Sequence, residues 1–266
     1  MTRIPPLFVS HGAPTLALEP GRAGAMLTRL GRDLPRPESI LVVSAHWEAA
    51  AAVVSAALQP ATIHDFHGFP AGLYELHYAA PGAPALAARV AALLGAAKIG
   101  CQVVPDRGLD HGAWIPLRYM YPQADIPVTQ VAISPRLGAA YHLALGHALA
   151  PLAGEGVLVL GSGGLTHNLR ELRMHAADDA PDWVREFSDW VADAVEAGDA
   201  AALADYRARA PQATRNHPTE EHLLPLLVAL GAAGADAAGR RLAGGVTYGV
   251  LAMDAFVMGS RDAAPA

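Results

Sequence analysis

Four short runs rich in Val, Leu and Ile constrain this chain most: Leu7 to Ser10, Ile40 to Ser44, Val128 to Ser134 and Val157 to Leu160. A strand with one face in water alternates apolar and polar residues, so runs that lack this alternation read as strands covered on both faces. Helix-length amphipathic stretches lie between them. Arg22 to Leu30 sets Met26, Leu27 and Leu30 on one side, and Ala85 to Leu94 does the same with Leu86, Val90, Leu93 and Leu94. Ala139 to Leu152 is a third such stretch, and Asp182 to Ala197, with Trp183, Phe187, Trp190 and Ala194 at helical spacing, is a fourth. This alternation predicts an α/β fold: a single domain with a mainly parallel or mixed central sheet and helices on both faces. Val53 to Leu58 and Gln102 to Val104 are predicted edge or hairpin strands, and Val246 to Val257 alternates as a last strand closing the sheet. No repeat or linker divides residues 1–260, which read as one domain, with a mobile tail at 261–266.

In open sheets of this class, ligands gather beyond the carboxyl ends of the strands, where the loops converge on one rim. His11 and His46 each follow such an end. His167, in "VLVLGSGGLTHN", follows a third, after Gly161, Gly163 and Gly164, which are expected to let the backbone bend sharply. His111, in "GLDHGAW", and His222, in "NHPTEEHLLPLL", arrive on loops or helix starts. His222 is expected at the opening turn of an apolar helix, whose start Pro225 places near Thr219, or only a turn before the proline. A lone histidine after a strand is usually a hydrogen-bonded turn residue, but five of them at turns flanked by glycine or proline point to a shared site. His64, His67 and His77 fit either the mouth of that site or a solvated loop. His142, His147 and His175 are expected on helix surfaces.

Composition narrows the chemistry. Cys101 is the only cysteine, so neither a disulfide nor a thiolate cluster is available, and any metal must be held by nitrogen and oxygen. Neutral imidazoles suit Zn(II) or Fe(II). Three protein ligands would leave open coordination positions for catalysis, and a further histidine would serve as acid or base. A net charge of −6 without a basic run removes the footprint of a nucleic-acid binder and leaves a small molecule as the expected partner. The apolar stretch at the N-terminus is too short for a signal peptide and is broken by Pro5 and Pro6; no segment nears the ~18 apolar residues of a membrane span. The expected address is the cytoplasm, and a homodimer is the generic expectation for assembly.

Other motifs fail on particular residues. A nucleophile elbow centred on Ser162 needs glycine where Leu160 stands, and a dinucleotide fingerprint from Gly161 needs glycine where Thr166 stands. No H-E-x-x-H occurs.

"LFVSHGAPT", "LVVSAHW", "TIHDFHGFPAGLYELHY", "LDHGAW", "THNLR" and "PTEEHLLPL" occur in this order from Pro6 to about Met258. In this the chain resembles the class III extradiol ring-cleavage dioxygenases of the DOPA 4,5-dioxygenase type, including their single-chain bacterial members. The resemblance implies that His11, His46 and His222 hold the metal. It implies that His167 acts as acid/base or joins as a fourth ligand, and that His111 contacts the substrate oxygens. Many extradiol enzymes place a carboxylate on iron. Here Glu221 and His222 are adjacent, and neighbours on a helix point about 100° apart, so His222 is taken as the ligand, with Glu221 behind it or in solvent.

The implied activity is insertion of O2 into a catechol, DOPA or a relative, at non-haem Fe(II), with His167 taking a phenolic proton. Zn(II) can fill such a site but has no redox chemistry; a non-redox zinc-dependent hydrolase, or a metal-binding protein on the same scaffold, is the alternative. Trp47, Phe66, Phe69, Tyr74 and Trp114, with Tyr248 in the predicted last strand, are candidate walls for a substrate ring or ordinary core. Arg170 and Arg215 are candidate partners for a substrate carboxylate.

Overall fold

The computed structural model describes residues 3–173 and 179–260; the predicted tail at 261–266 and His175 lie outside them. Ten strands are present among the described residues: β1 (Leu7–Ser10), β2 (Ser39–Glu48), β3 (Ala52–Ser55), β4 (Cys101–Val104), β5 (Val128–Ile133), β6 (Val157–Gly163), β7 (Ala237–Leu242), β8 (Val246–Thr247), β9 (Leu251–Ala252) and β10 (Ala255–Ser260). Eight of them form one mixed sheet in the order β4-β3-β5-β2-β6-β1-β10-β7, and β8 pairs with β9. The four strands read from their apolar runs are its centre. β5, β2, β6 and β1 pair in parallel, so their carboxyl ends share one rim.

The helices are α1 (Gly21–Asp33), α2 (Pro84–Ala96), α3 (His111–Met120), α4 (Gly138–Leu149), α5 (Pro151–Gly154), α6 (Asp182–Glu196), α7 (Ala200–Ala204), α8 (Tyr206–Arg209), α9 (Ala213–Asn216) and α10 (Leu224–Ala233). They cover both faces, as β6 makes plain. Alternate residues of a strand point to opposite sides: a Cβ on Gly161 or Gly163 would meet Pro225 or His222 at the start of α10, whereas Ser162 between them bonds Gly112 of α3. Every residue of α10 is buried, as expected of a helix that is apolar all round.

Several expectations are corrected. The stretch from Gly161 to Gly163 does not bend away; the strand runs on through it. These glycines serve close approach, since the His222 carbonyl lies 2.0 Å from where a Cβ on Gly163 would stand and the Pro225 carbonyl 2.3 Å from one on Gly161. The run Val246 to Val257 is not one strand. Positive φ at Gly245, Tyr248 and Gly249 folds its first half into the β8–β9 hairpin, which places Tyr248 in a turn. β10 then lies between β1 and β7, and β7 is one edge, opposite β4. The sequence of β7, AAGRRL, shows no apolar run because Arg241 is held by ion pairs to Asp189 and Asp254. Nor is β3 an edge strand; it sits between β4 and β5. The helix expected over Ala139 to Leu152 is divided at Ala150, where Pro151 opens α5. His142 is no surface residue: it is fully buried, its Nε2 accepting from the Ser134 amide and its Nδ1 donating to the Gly138 carbonyl.

Candidate metal centre

His11 follows β1 directly. The last residue of that strand, Ser10, is pinned to the Asp254 carbonyl through its amide at 3.2 Å and its hydroxyl at 2.9 Å, and Gly12 turns the chain at φ +60. His11 is thereby set into the rim, buried, with Nδ1 3.0 Å from Ser162 Oγ. Ser162 gives its own hydrogen to the Gly112 carbonyl, so it accepts from Nδ1–H of His11. Nε2 is left as a bare lone pair. Gly112 has to be glycine here, because a Cβ would meet Ser44 Oγ at 2.5 Å and the His11 ring at 3.2 Å.

His46 does not follow its strand but lies within it, where the pairing of β2 with β5 shifts register between Ser44 and Glu48. Such a bulge re-aims a side chain toward a site. Asp110 stabilises it from beneath: wholly buried, this carboxylate accepts from Ser44 Oγ, Gln130 Nε2 and Arg107, and caps α3 at the Ala113 amide. His222 lies in the turn before α10, which begins at Leu224 with Pro225 in its first turn. Its Nδ1 is 2.9 Å from the Glu221 carboxylate. Since a carboxylate only accepts, the proton sits on Nδ1, and Nε2 is a buried nitrogen with no hydrogen-bond partner among the described residues.

These rings converge. His11 and His46 bring their Nε2 atoms to 2.9 Å, and the ring centroids of His11, His46 and His222 are 4.8, 5.0 and 5.5 Å apart. Nitrogen donors about 2.1 Å from a common cation stand roughly 3 Å from one another. The fixed lone pair of His11, the orphaned Nε2 of His222 and the converging Nε2 of His46 therefore form a donor set that fits one divalent ion, and the Glu221–His222 and Ser162–His11 bonds orient the rings from behind. Burial, then repulsion among neighbouring imidazoles, holds the pKa of His11 and His222 well below 6.5, and brings His46 down to about 3. All three are neutral at pH 7, as metal ligation requires.

Two more histidines flank the three. His111 opens α3, and Asp65 accepts from both its amide and its Nδ1, each at 2.9 Å. The His111 ring lies 3.9 Å from that of His46, and Asp65 also comes within 3.7 Å of His46 Nδ1. Burial alone would raise the Asp65 pKa; the bonds from His111 outweigh it and hold the carboxyl at about 2. His167 is fixed through its amide to the Asn216 carbonyl and stacks on His222 at 3.3 Å and 11°. Burial lowers its pKa to about 4. Two further groupings of donors thus adjoin the first: His46, Asp65 and His111, and His167, Glu221 and His222.

The structure also sorts the remaining candidates. Phe66 meets His111 edge-on at 5.8 Å and packs with Phe69 and Tyr74, whereas Trp114 is wholly buried with its indole N–H given to the Ile63 carbonyl, and so belongs to the core. Trp47 lies under Arg107. Tyr248 bonds Thr15. His64 bonds the Leu76 carbonyl within the aromatic cluster, while His67 and His77 are exposed. Arg215 is engaged by Glu171 in two bonds and rests on Trp183; Arg170 is exposed. Asp65 stands between His64 and His67 in the sequence, and nothing local marks it as the partner of the distant His111. The need of any oriented imidazole for an acceptor was the signal that pointed to it. A groove of about 860 Å³ between α1 and the β10–β7 edge, lined by Arg22, Met26 and Arg240 among others, lies away from the histidines.

Across residues 7–258 the chain matches the family described as catalytic LigB subunit of aromatic ring-opening dioxygenase. Its relatives include the 4,5-DOPA dioxygenase extradiol of Portulaca grandiflora, 44% identical over 232 residues, 85% of each chain. The protein of the same name in Escherichia coli K12 is 41% identical over 240 residues, 87% of this chain and 86% of the relative. The crystal structure of an uncharacterized protein from Escherichia coli K12 superposes with a TM-score of 0.75 at 33% identity, covering 96% of this chain and 99% of that one.

Proposed function

The chain belongs to the family of the catalytic LigB subunit and is an aromatic ring-opening dioxygenase; from that premise we propose that it performs extradiol cleavage of a catechol, of the DOPA type, at an Fe(II) centre held by His11, His46 and His222. One observation carries the reading: His222, whose buried Nε2 has no partner among the described residues, brings a donor atom within 4.8 Å of those of His11 and His46. The names of the relatives, 4,5-DOPA dioxygenase extradiol, support the substrate class. Fe(II) bound there supplies the redox chemistry that couples a catechol to O2.

The protein's own residues do the rest. Three neutral imidazoles leave a divalent ion its full charge, which favours the catecholate over the neutral diol. His111 gives its Nδ1 hydrogen to Asp65, its ring lies beside those of His11 and His46, and its Nε2 accepts a hydrogen bond from a catechol hydroxyl. His167, neutral at pH 7, takes the phenolic proton and returns it to the product oxygen. Phe66, Phe69 and Tyr74 form an aromatic wall beside His111 on which the substrate ring lies.

The test is anaerobic reconstitution with Fe(II), followed by simple catechols, DOPA and protocatechuate under measured O2. The proposal expects a yellow ring-opened product with one O2 consumed per ring, and no turnover from the Zn(II) form. Turnover of an ester or amide by the Zn(II) form, without catechol cleavage by the Fe(II) form, contradicts it.

A further inference from the structure

His217 takes no part in the cluster, yet it is wholly buried. Its Nε2 lies 2.9 Å from the Leu165 carbonyl; a carbonyl only accepts, so this nitrogen carries the hydrogen and the tautomer is set. The other nitrogen, Nδ1, is buried without a partner among the described residues. Phe187 and Tyr206 enclose the ring, with centroids at 5.3 and 6.2 Å. An apolar side chain would fill the same space without stranding a nitrogen, so the distinctive contribution of the imidazole is its bond to Leu165.

That bond is one of three in a row. The Asn216 carbonyl accepts from the His167 amide at 3.0 Å, and the Arg215 carbonyl from Asn168 Nδ2 at 2.7 Å. On the opposite side the same loop is tied by the Leu165 amide to Ser10 Oγ and by the Thr166 hydroxyl to the Val250 carbonyl. His217 is itself anchored, its amide to the Ala213 carbonyl and its carbonyl to Arg207. Beyond it the chain reaches His222, whose ring stacks on His167. One short segment thus fixes His167 from its backbone and from its ring face.

We propose that His217 is a positioning residue for His167: by donating Nε2–H to the Leu165 carbonyl it holds the 165–168 loop so that the His167 ring stays parallel to His222 and beside the candidate metal centre. The proposal rests on the reading of His167 as the proton acceptor.

The variants are His217→Leu, which fills the pocket without a donor, and His217→Gln, which keeps an N–H of similar reach. In the Fe(II)-loaded enzyme, His217→Leu lowers kcat about 10- to 100-fold while KM and bound metal per chain stay unchanged, and His217→Gln recovers to within about threefold of the parent. Amide exchange of residues 165–168 in the metal-free protein quickens in His217→Leu and not in His217→Gln. A kcat for His217→Leu within twofold of the parent, or a loss that follows metal content alone, overturns the assignment. Imidazole 15N spectra of the unaltered protein decide it without any variant: the proposal expects His217 as the neutral Nε2–H tautomer, and an Nδ1–H tautomer overturns it. If no catechol is turned over, the proposed function fails, and the exchange and 15N results still judge the role of His217.

Discussion

Gly163→Ala tests how the third histidine reaches the rim. A Cβ on Gly163 would stand 2.0 Å from the His222 carbonyl oxygen, where real contacts do not go below 3.0 Å. The difference means that the backbone bearing His222 must retreat by about 1 Å. That retreat breaks the bond from the Gly164 amide to the same carbonyl, now 2.9 Å long, and carries the His222 ring away from His11 and His46. Overpacking of this kind costs about 1–3 kcal/mol of stability, and a displaced ligand weakens metal binding by about 10- to 100-fold. The neighbouring substitution Gly164→Ala is the control, because its Cβ meets nothing closer than 3.3 Å. Zinc affinity by chelator competition on the metal-free proteins, with a thermal melt beside it, reads both effects. A folded Gly163→Ala protein that binds zinc within twofold of the parent would refute the reasoning.

Glu221→Ala should loosen zinc by about 10- to 100-fold in the same assay, and Glu221→Gln by less, since an amide oxygen still accepts from His222 Nδ1. Asp65→Asn removes the charged acceptor behind His111; kcat for a catechol is expected to fall by about 100-fold or more with bound iron unchanged, and an unaltered kcat sinks that role. The metal-free protein should lose stability in mild acid. His11, His46, His167, His217 and His222 have folded pKa values below 6.5, so the unfolded chain binds more protons, and stability, full above pH 6.5, drops as pH falls. Each group contributes up to about 1.4 kcal/mol per pH unit, levelling off near the folded values of about 3 for His46 and about 4 for His167 and His217. Urea midpoints at pH 7.5, 6 and 5 check this; equal midpoints contradict it.

The centre of the fold was legible because parallel strands buried on both faces are rich in Val, Leu and Ile without polar alternation, and β1, β2, β5 and β6 each carry such a run. The edge was not. β7 carries Arg240 and Arg241, and its place depends on Asp189 and Asp254, which are distant in sequence. The β8–β9 hairpin was hidden because the alternation of Val246 to Val257 continues across a reversal made by Tyr248 and Gly249. The five histidines could be picked out because strand ends and turns advertise a rim. Glu221 could be set beside His222 because the two are adjacent, whereas Asp65 and Ser162, which bond His111 and His11 from distant segments, could not be ranked from sequence, because such a bond leaves no local pattern. The same holds for His142, whose burial comes from capping the turn at Ser134 and Gly138.

X-ray absorption at the iron edge of the anaerobically loaded protein tests the central claim most directly, with the His11→Ala, His46→Ala and His222→Ala variants beside it. The account predicts a first shell with three imidazole nitrogens at about 2.1 Å and the loss of one nitrogen in each variant. A shell that keeps its three imidazoles in all the variants, or one that needs Asp65 and His111 to hold the ion, would contradict it.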